Sequence, residues 1–317
     1  MIRHRVAVGV IAIVAVVLFG IGYVVWTMSD RDAAAAPGTA SGHAFSFVDF
    51  ADGRTRVDRL GPDGARSVGS LRCQRFYSAG GTSVCLRLSG VGPSYSADVL
   101  DAGGTVVRSV PLPGVPSRVR VSASGKIVSW TVFVTGDSYL APGGFSTRTG
   151  YLDLRTGTLV ESLEDFSSIV DGRPERRVDF NYWGMTVSSD DRTFYATLGS
   201  GQQNWLVRGD LATRSVTTIR PGVECPSLSP DGTRIAFKQR GGRLGAWQLN
   251  VLDLRSGNVI TLPGTGGVDD QAAWLDDRTL AYAKVPQASA PAIYTSPADG
   301  SGEPRLVIGS AASPSPG

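Results

Sequence analysis

This chain contains only two histidines, His4 and His43, and both precede the body of the protein. A Ser-His-Asp or Cys-His nucleophile system needs an imidazole beside the nucleophile, and histidine-ligated zinc needs the same ring as a donor. Residues 44–317 therefore lack the parts for either chemistry. Cys73, Cys85 and Cys225 are too widely spaced for a zinc motif. No Gly-x-Ser-x-Gly elbow, His-Glu-x-x-His helix or Gly-x-x-x-x-Gly-Lys phosphate loop is present. The sequence thus implies no catalytic residue, no metal ligand set and no cofactor. Carboxylate chemistry passes this filter: a glycosidase needs two well-placed acids, and a calcium-dependent hydrolase needs several oxygen ligands. Asp49, Asp98, Asp137, Asp179, Asp269 and Asp270 are the candidates. Turn formation accounts for the same residue type, because Asp bonds its own backbone. That reading holds for Asp190, Asp191, Asp231, Asp276 and Asp277, and for the matching pair Asp153 and Asp253.

Recognition is the other chemistry on offer. Tyr139, Phe145, Arg173, Arg176, Arg177, Tyr182 and Trp183 are of types enriched at interface hot spots. They fall in or beside two long segments, 135–148 and 167–181. The competing reading is a solvated arginine cluster balanced by Glu161, Glu164, Asp165 and Glu175. Trp130, Trp205, Trp247 and Trp274 lie on or beside expected strands, where packing between sheets is the simpler role.

The elements that must position these residues repeat. The clearest copy runs Ser229-Pro230-Asp231-Gly232-Thr233-Arg234-Ile235-Ala236-Phe237 and continues to Leu252-Asp253-Leu254-Arg255-Ser256-Gly257. It reads as strand, tight turn, strand, longer loop, strand, tight turn. The first turn recurs at Gly80, Gly125, Asp191, Gly232 and Asp277. The second recurs at Asp63, Gly103, Thr156, Thr213, Ser256 and Asp299. Asp-Gly and Gly-Gly supply the positive φ of hairpin turns, and β-branched and aromatic residues follow them. The last second turns are spaced by about 43 to 57 residues, the length of a four-stranded blade. The expected fold is all-β, a six-bladed β-propeller whose N-terminal blade shows three strands, with its innermost strand drawn from the linker or absent. A β-sandwich shares short strands but not one turn grammar at this spacing. In up-and-down blades both tight turns share one rim, and the long loops share the other, which makes the long-loop rim the expected docking side for a protein, peptide or glycan.

Composition agrees with a turn-rich all-β body: 40 glycines and 19% charged residues. A net charge of +3 and the absence of a basic stripe exclude a nucleic-acid surface. Residues 6–26 form an uncharged apolar run, long enough to cross a hydrocarbon core of about 30 Å as a helix. Arg3, His4 and Arg5 precede it, which favours a cytoplasmic N-terminus and an exported body. The expected organisation is a membrane anchor (or signal sequence) over 1–28, a flexible linker over 29–43, a propeller over 44–309 and a disordered tail over 310–317. The location expected is the cell membrane, single-pass, with an extracytoplasmic C-terminal domain; secretion after signal cleavage is the alternative. An exported location permits a Cys73–Cys85 disulfide across the hairpin at Gly80, and leaves Cys225 a buried free thiol.

The 229–237 phrase and its partner at 252–257 resemble the repeat of TolB-like propellers, with looser copies at 189–194 and 276–282. The resemblance spans about residues 44–308. Similar blades occur in prolyl oligopeptidase-type enzymes and in the tricorn protease, which carry a separate catalytic domain. The TolB likeness implies an extracytoplasmic role in protein interaction, with a protein or cell-envelope component as partner. The leading expectation is a non-catalytic, membrane-tethered interaction module; the alternative is a carboxylate-dependent glycan hydrolase or lyase. The two differ in what they require: converging acids at the central channel for the enzyme, an aromatic and basic rim for the binder.

Overall fold

A computed structural model describes residues 41–90, 92–134, 146–242, 245–285 and 290–316. The tight turns form where their residue types demand. Asp190 Oδ1 accepts from the backbone N–H groups of Arg192 (2.9 Å) and Thr193 (2.8 Å). Asp276 does the same for Arg278 and Thr279, and Asp253 for Arg255 and Ser256. A short acceptor folded onto its own backbone fixes the reversal between two strands. Gly80 and Gly125 carry a further constraint. A Cβ on Gly80 (φ 57°) would lie 2.3 Å from Gly125 N, so these first turns of neighbouring sheets touch backbone to backbone.

Six sheets result. Blade 2 runs, inside to outside, Arg75–Ala79, Thr82–Leu88, Tyr95–Leu100 and Val106–Leu112. Blade 3 is Val115–Val121, Ile127–Val134, Ser146–Asp153 and Thr158–Val160. Blade 5 is Glu224–Leu228, Arg234–Arg240, Trp247–Asp253 and Val259–Thr261. Blade 6 is Ala273–Trp274, Thr279–Lys284, Ala292–Pro297 and Arg305–Ile308. Blade 4 comprises Asn181–Val187, Thr193–Ser200, Gln203–Asp210 and Ser215–Pro221. The innermost strands adjoin one another around a closed ring, so the radial arrangement replaces the sandwich alternative. The expected division into a short-turn rim and a long-loop rim follows from this strand order.

Two expectations need correction. Blade 1 is complete: Ala311–Ser315 pairs antiparallel with Phe45–Asp49 as its innermost strand, followed outward by Arg56–Leu60 and Arg66–Ser67. The tail expected to be disordered therefore closes the ring from residue 311. It is held by Asp270, which accepts from Ser313 N–H, and by Ser315 Oγ, which accepts from Ser78 N–H (2.7 Å) and donates to Ser78 O (3.0 Å). Second, the segment 167–181 is not a simple loop. Ser167–Val170 pairs parallel with Ser215–Pro221, and Arg173–Glu175 folds back on it, so blade 4 is extended outward to six strands. Within blade 4, the connection from the second to the third strand is the tight turn Gly201-Gln202, because strands extend to Ser200 and resume at Gln203. Residues 1–40, including the proposed membrane run, lie outside the described residues. Among those described, no helix is long and apolar enough to cross a membrane.

The blades pack face to face through apolar side chains. Strand Ile127–Val134 is buried at all but one position because it has a blade on either side. Phe45, Phe47 and Ala311 pack with Ile293 and Ile308 of blade 6. Val48 packs with Phe76 and the half-cystines Cys73 and Cys85 of blade 2, which are disulfide-bonded. Blade 1 is thereby wedged from both sides. Its Asp49 and Asp58 are buried beneath Arg56 and Arg66, with Arg66 2.6 Å from each carboxylate. Burial alone would raise the Asp58 carboxyl, but the bonds from Arg56, Arg66 and Gly69 N–H hold it below the ordinary range.

Candidate functional site

Buried polar side chains from several blades meet near the innermost strands. Arg120 of blade 3 donates to the carbonyls of Gln271 (3.2 Å) and Ala272 (2.7 Å), with its guanidinium 4.4 Å over the Tyr77 ring. Gln271, only 1% exposed, reaches across to the carbonyls of Gly184 in blade 4 and Pro226 in blade 5. Arg75 of blade 2 donates to Ser117 O of blade 3. Asp270 is the carboxylate of this layer, with Arg118 Nε 3.5 Å away. Burial would raise its pKa, but Arg118, Arg75, the Gln271 N–H and Arg120 lower it below the usual carboxylate range. Asp270 is thus a fixed counter-ion, the wrong state for a general acid.

Above this layer a cleft of about 1050 Å³ opens on the long-loop rim between blades 3, 4 and 5. Strand periodicity builds it. Lys238 and Arg240 end the second strand of blade 5, two residues apart and hence on one face. Trp247 begins the third strand directly opposite Arg240. The Trp247 ring consequently carries Arg240 at 4.4 Å and Lys238 at 5.0 Å. Lys238 Nζ also donates to Asp269 O (2.8 Å), which anchors it. Trp183 forms another wall. Its ring lies against Gly199, where a Cβ would sit 2.7 Å from two ring carbons, so glycine is what lets the indole lie flat on its neighbouring strand.

The remaining lining is polar. Gln202 and Gln203 project from the tight turn of blade 4. Glu224 accepts from Asn204 Nδ2 (2.7 Å); burial pushes its carboxyl up, against the opposing pull of Lys238 and Arg240. Asp179 is engaged structurally, accepting from Ser200 Oγ (2.9 Å) and Gly201 N–H (2.8 Å). Asp269 is exposed, with its carboxylate 3.9 Å from Lys238 Nζ. Ser146, 3% exposed, lines the cleft with a hydroxyl that has no hydrogen-bond partner among the described residues. Cys225 is a buried free thiol at the cleft floor beside Arg118. A wall of two indoles, three cations and several amides suits binding of a chain that is partly apolar and carries hydrogen-bonding or anionic groups.

The residues expected to bind are divided by the structure. Trp183 lines the cleft. Tyr182, its neighbour, is 1% exposed in the core, its hydroxyl 2.8 Å from Ser168 Oγ, because adjacent strand residues face opposite ways. Arg177 is ion-paired with Glu175 and donates to Ser200 Oγ at the cleft edge. Arg173 and Arg176 are exposed on and after the added outer hairpin, outside the cleft lining. Tyr139 and Phe145 lie outside the described residues. Of the acid candidates, Asp98 accepts from Ser109 Oγ within blade 2, Asp49 belongs to the blade 1 ion cluster, and Asp137 lies outside the described residues. Trp130, Trp205 and Trp274 are buried as expected, whereas Trp247 faces the cleft. The signal for Trp247 and Arg240 was their place at the two ends of the 241–246 loop, which puts both on the long-loop rim.

No protein-family model and no curated protein matches this chain. Its structure is similar to TolB from Acinetobacter baumannii, with a TM-score of 0.62 and 19% identity over 88% of this chain and 67% of that one. It is also similar to a TolB candidate from Agrobacterium tumefaciens (TM-score 0.48, 13% identity, 83% and 87% covered). A further similarity is to hydrazine synthase from Kuenenia stuttgartiensis (TM-score 0.48, 13% identity, 82% and 78% covered). Identities this low speak to the fold, and in fold the chain is a TolB-like six-bladed β-propeller.

Proposed function

We propose that this propeller is a non-catalytic interaction module, tethered outside the cytoplasm by its N-terminal segment, that binds a protein, peptide or glycan of the cell envelope in the long-loop cleft. The observation that carries the reading is the grouping of Trp183, Trp247, Arg118, Lys238 and Arg240 in one cavity. The position of the first described residues supports it. Phe45 starts a second strand and so lies at the short-turn rim, and His43 sits 3.6 Å from Asp276 in a short turn. A tether that joined the propeller on this rim would direct the cleft away from the membrane. The test is partner capture by the full chain from native membranes, with Trp247→Ala and Arg240→Ala beside wild type. Loss of capture in both variants supports the cleft; undiminished capture removes it.

One observation favours the alternative, a carboxylate-dependent glycan hydrolase or lyase: the raised carboxyl of Glu224. A glycosidase needs a second free acid at a defined separation; Asp179 and Asp270 are both committed to structural contacts, and the exposed Asp269 is the remaining acid of the cleft lining, 3.9 Å from Lys238 Nζ. Turnover of acidic or neutral oligosaccharides that disappears in Glu224→Gln would support that reading.

A further inference from the structure

A second, smaller pocket of about 360 Å³ lies on the opposite, short-turn rim, where the N-terminal lead-in meets blades 5 and 6. Three guanidinium groups line it: Arg234, Arg278 and Arg305. Arg234 is held in place, donating to Asp277 O (2.6 Å), 3.4 Å from Asp231 Oδ2 and 5.3 Å over the Trp274 ring. Arg278 and Arg305 have no side-chain partner among the described residues. Their acidic neighbour in the lining is Asp299, whose Oδ1 already accepts from Ser301 N–H (3.0 Å).

The repeat explains why these cations are left over. In blades 3, 4 and 5 the third strand ends on an aspartate: Asp153 opposite Ile127, Asp210 opposite Thr193, Asp253 opposite Arg234. Arg192, third residue of its turn, pairs with Asp210 at 2.7 Å. Arg278 is third in the equivalent turn of blade 6. The residue opposite Thr279, where Asp210 would stand, is Pro297. Blade 6 keeps the arginine and lacks its carboxylate. Arg278 and Arg305, unpaired among the described residues beside the ion-paired Arg234 and with Asp299 as the carboxylate in the lining, leave an excess of positive charge that an anion would offset, and the guanidinium fork matches a phosphate edge with paired N–H donors. The buried hydroxyl-bearing residues Thr295 and Ser296 also line the pocket, and His43 stands at its margin.

We propose that this pocket is a binding site for a phosphate-class anion, with Arg234, Arg278 and Arg305 as its ligands. Either a soluble phosphate or a lipid phosphate headgroup fits that chemistry. The test is calorimetric titration of the full chain, in neutral detergent, with inorganic phosphate. Wild type is expected to bind saturably, and Arg278→Gln/Arg305→Gln to weaken binding at least tenfold. Pro297→Asp, which restores the repeat's own carboxylate, is expected to weaken it similarly by occupying Arg278. Equal affinities in all three proteins, or no saturation by ~10 mM, would overturn the site. The substituted positions are at the surface or restore the repeat residue, and melting curves check folding. If Pro297→Asp fails to fold, the double arginine variant decides alone. Hydrogen exchange in nanodiscs separates the sources. Protection of residues 41–43 and 295–305 by phosphatidylglycerol without added phosphate assigns a headgroup. Protection only on adding phosphate assigns a soluble anion, and protection with neither contradicts the proposal.

Discussion

Ser315→Ala tests whether the last residues close the ring. Ser315 is fully buried and its hydroxyl makes two bonds to blade 2, accepting from Ser78 N–H at 2.7 Å and donating to Ser78 O at 3.0 Å. The substitution removes one oxygen and leaves both backbone groups without that partner. Each unsatisfied group costs about 1–3 kcal/mol when water is excluded, and Ser78 is only half-buried, which places the expected loss at about 2–4 kcal/mol. For a domain of this size each kcal/mol moves the melting temperature by about 2 °C or slightly more. The full chain is therefore expected to melt about 4–8 °C lower, with faster hydrogen exchange at the Ser78 amide. A free C-terminal tail would make the same change silent. An unaltered melting temperature together with unaltered exchange at Ser78 would refute the closure.

Other consequences are open to simple assays. Replacing Cys73 and Cys85 with serine removes a bridge that closes a short loop, worth roughly 3 kcal/mol in the chain-entropy account; the melting temperature should fall by about 6 °C or more, and non-reducing peptide mapping should find the pair linked in wild type. Acid should weaken the fold through its turn aspartates. Burial alone would raise Asp231, but bonds from Ser229 and Thr233 bring it down to about 2, so its contribution is complete above the unfolded value near 4 and is lost as pH falls toward about 2. Asp231→Asn should flatten the dependence of melting temperature on pH in that window, and an unchanged profile would count against the assignment. For the N-terminal segment, alkaline carbonate should leave the full chain in the membrane fraction with an intact N-terminus by mass spectrometry; release as a shortened chain would favour a cleaved signal.

The repeat was readable because hairpin chemistry is local. Asp190, Asp276 and Asp253 bond amides two and three residues away, so residue type alone announces the turn. The closing strand was not readable, because Ala311, Ala312, Ser313, Pro314 and Ser315 carry little β propensity and their pairing with Phe45–Asp49 spans the whole chain. The cleft was readable in outline: the long-loop rim followed from strand order. Its membership turned on parity, which sends Tyr182 into the core and Trp183 into the cavity, and no local feature distinguishes those neighbours. Blade 6 shows the value of register: Pro297 is unremarkable in sequence and becomes informative only when aligned with Asp210 across the strand pairs.

Partners are proposed to dock on the long-loop rim. Site-specific photo-crosslinkers in the full chain, in native membranes, can locate that contact. Exposed Gln202 and Gln203 report on the cleft, and exposed Thr156 and Ser256 report on the short-turn rim. The prediction is a discrete adduct from the first pair that disappears in Trp247→Ala, with none from the second. An adduct formed only from Thr156 and Ser256, or one unaffected by Trp247→Ala, would contradict it.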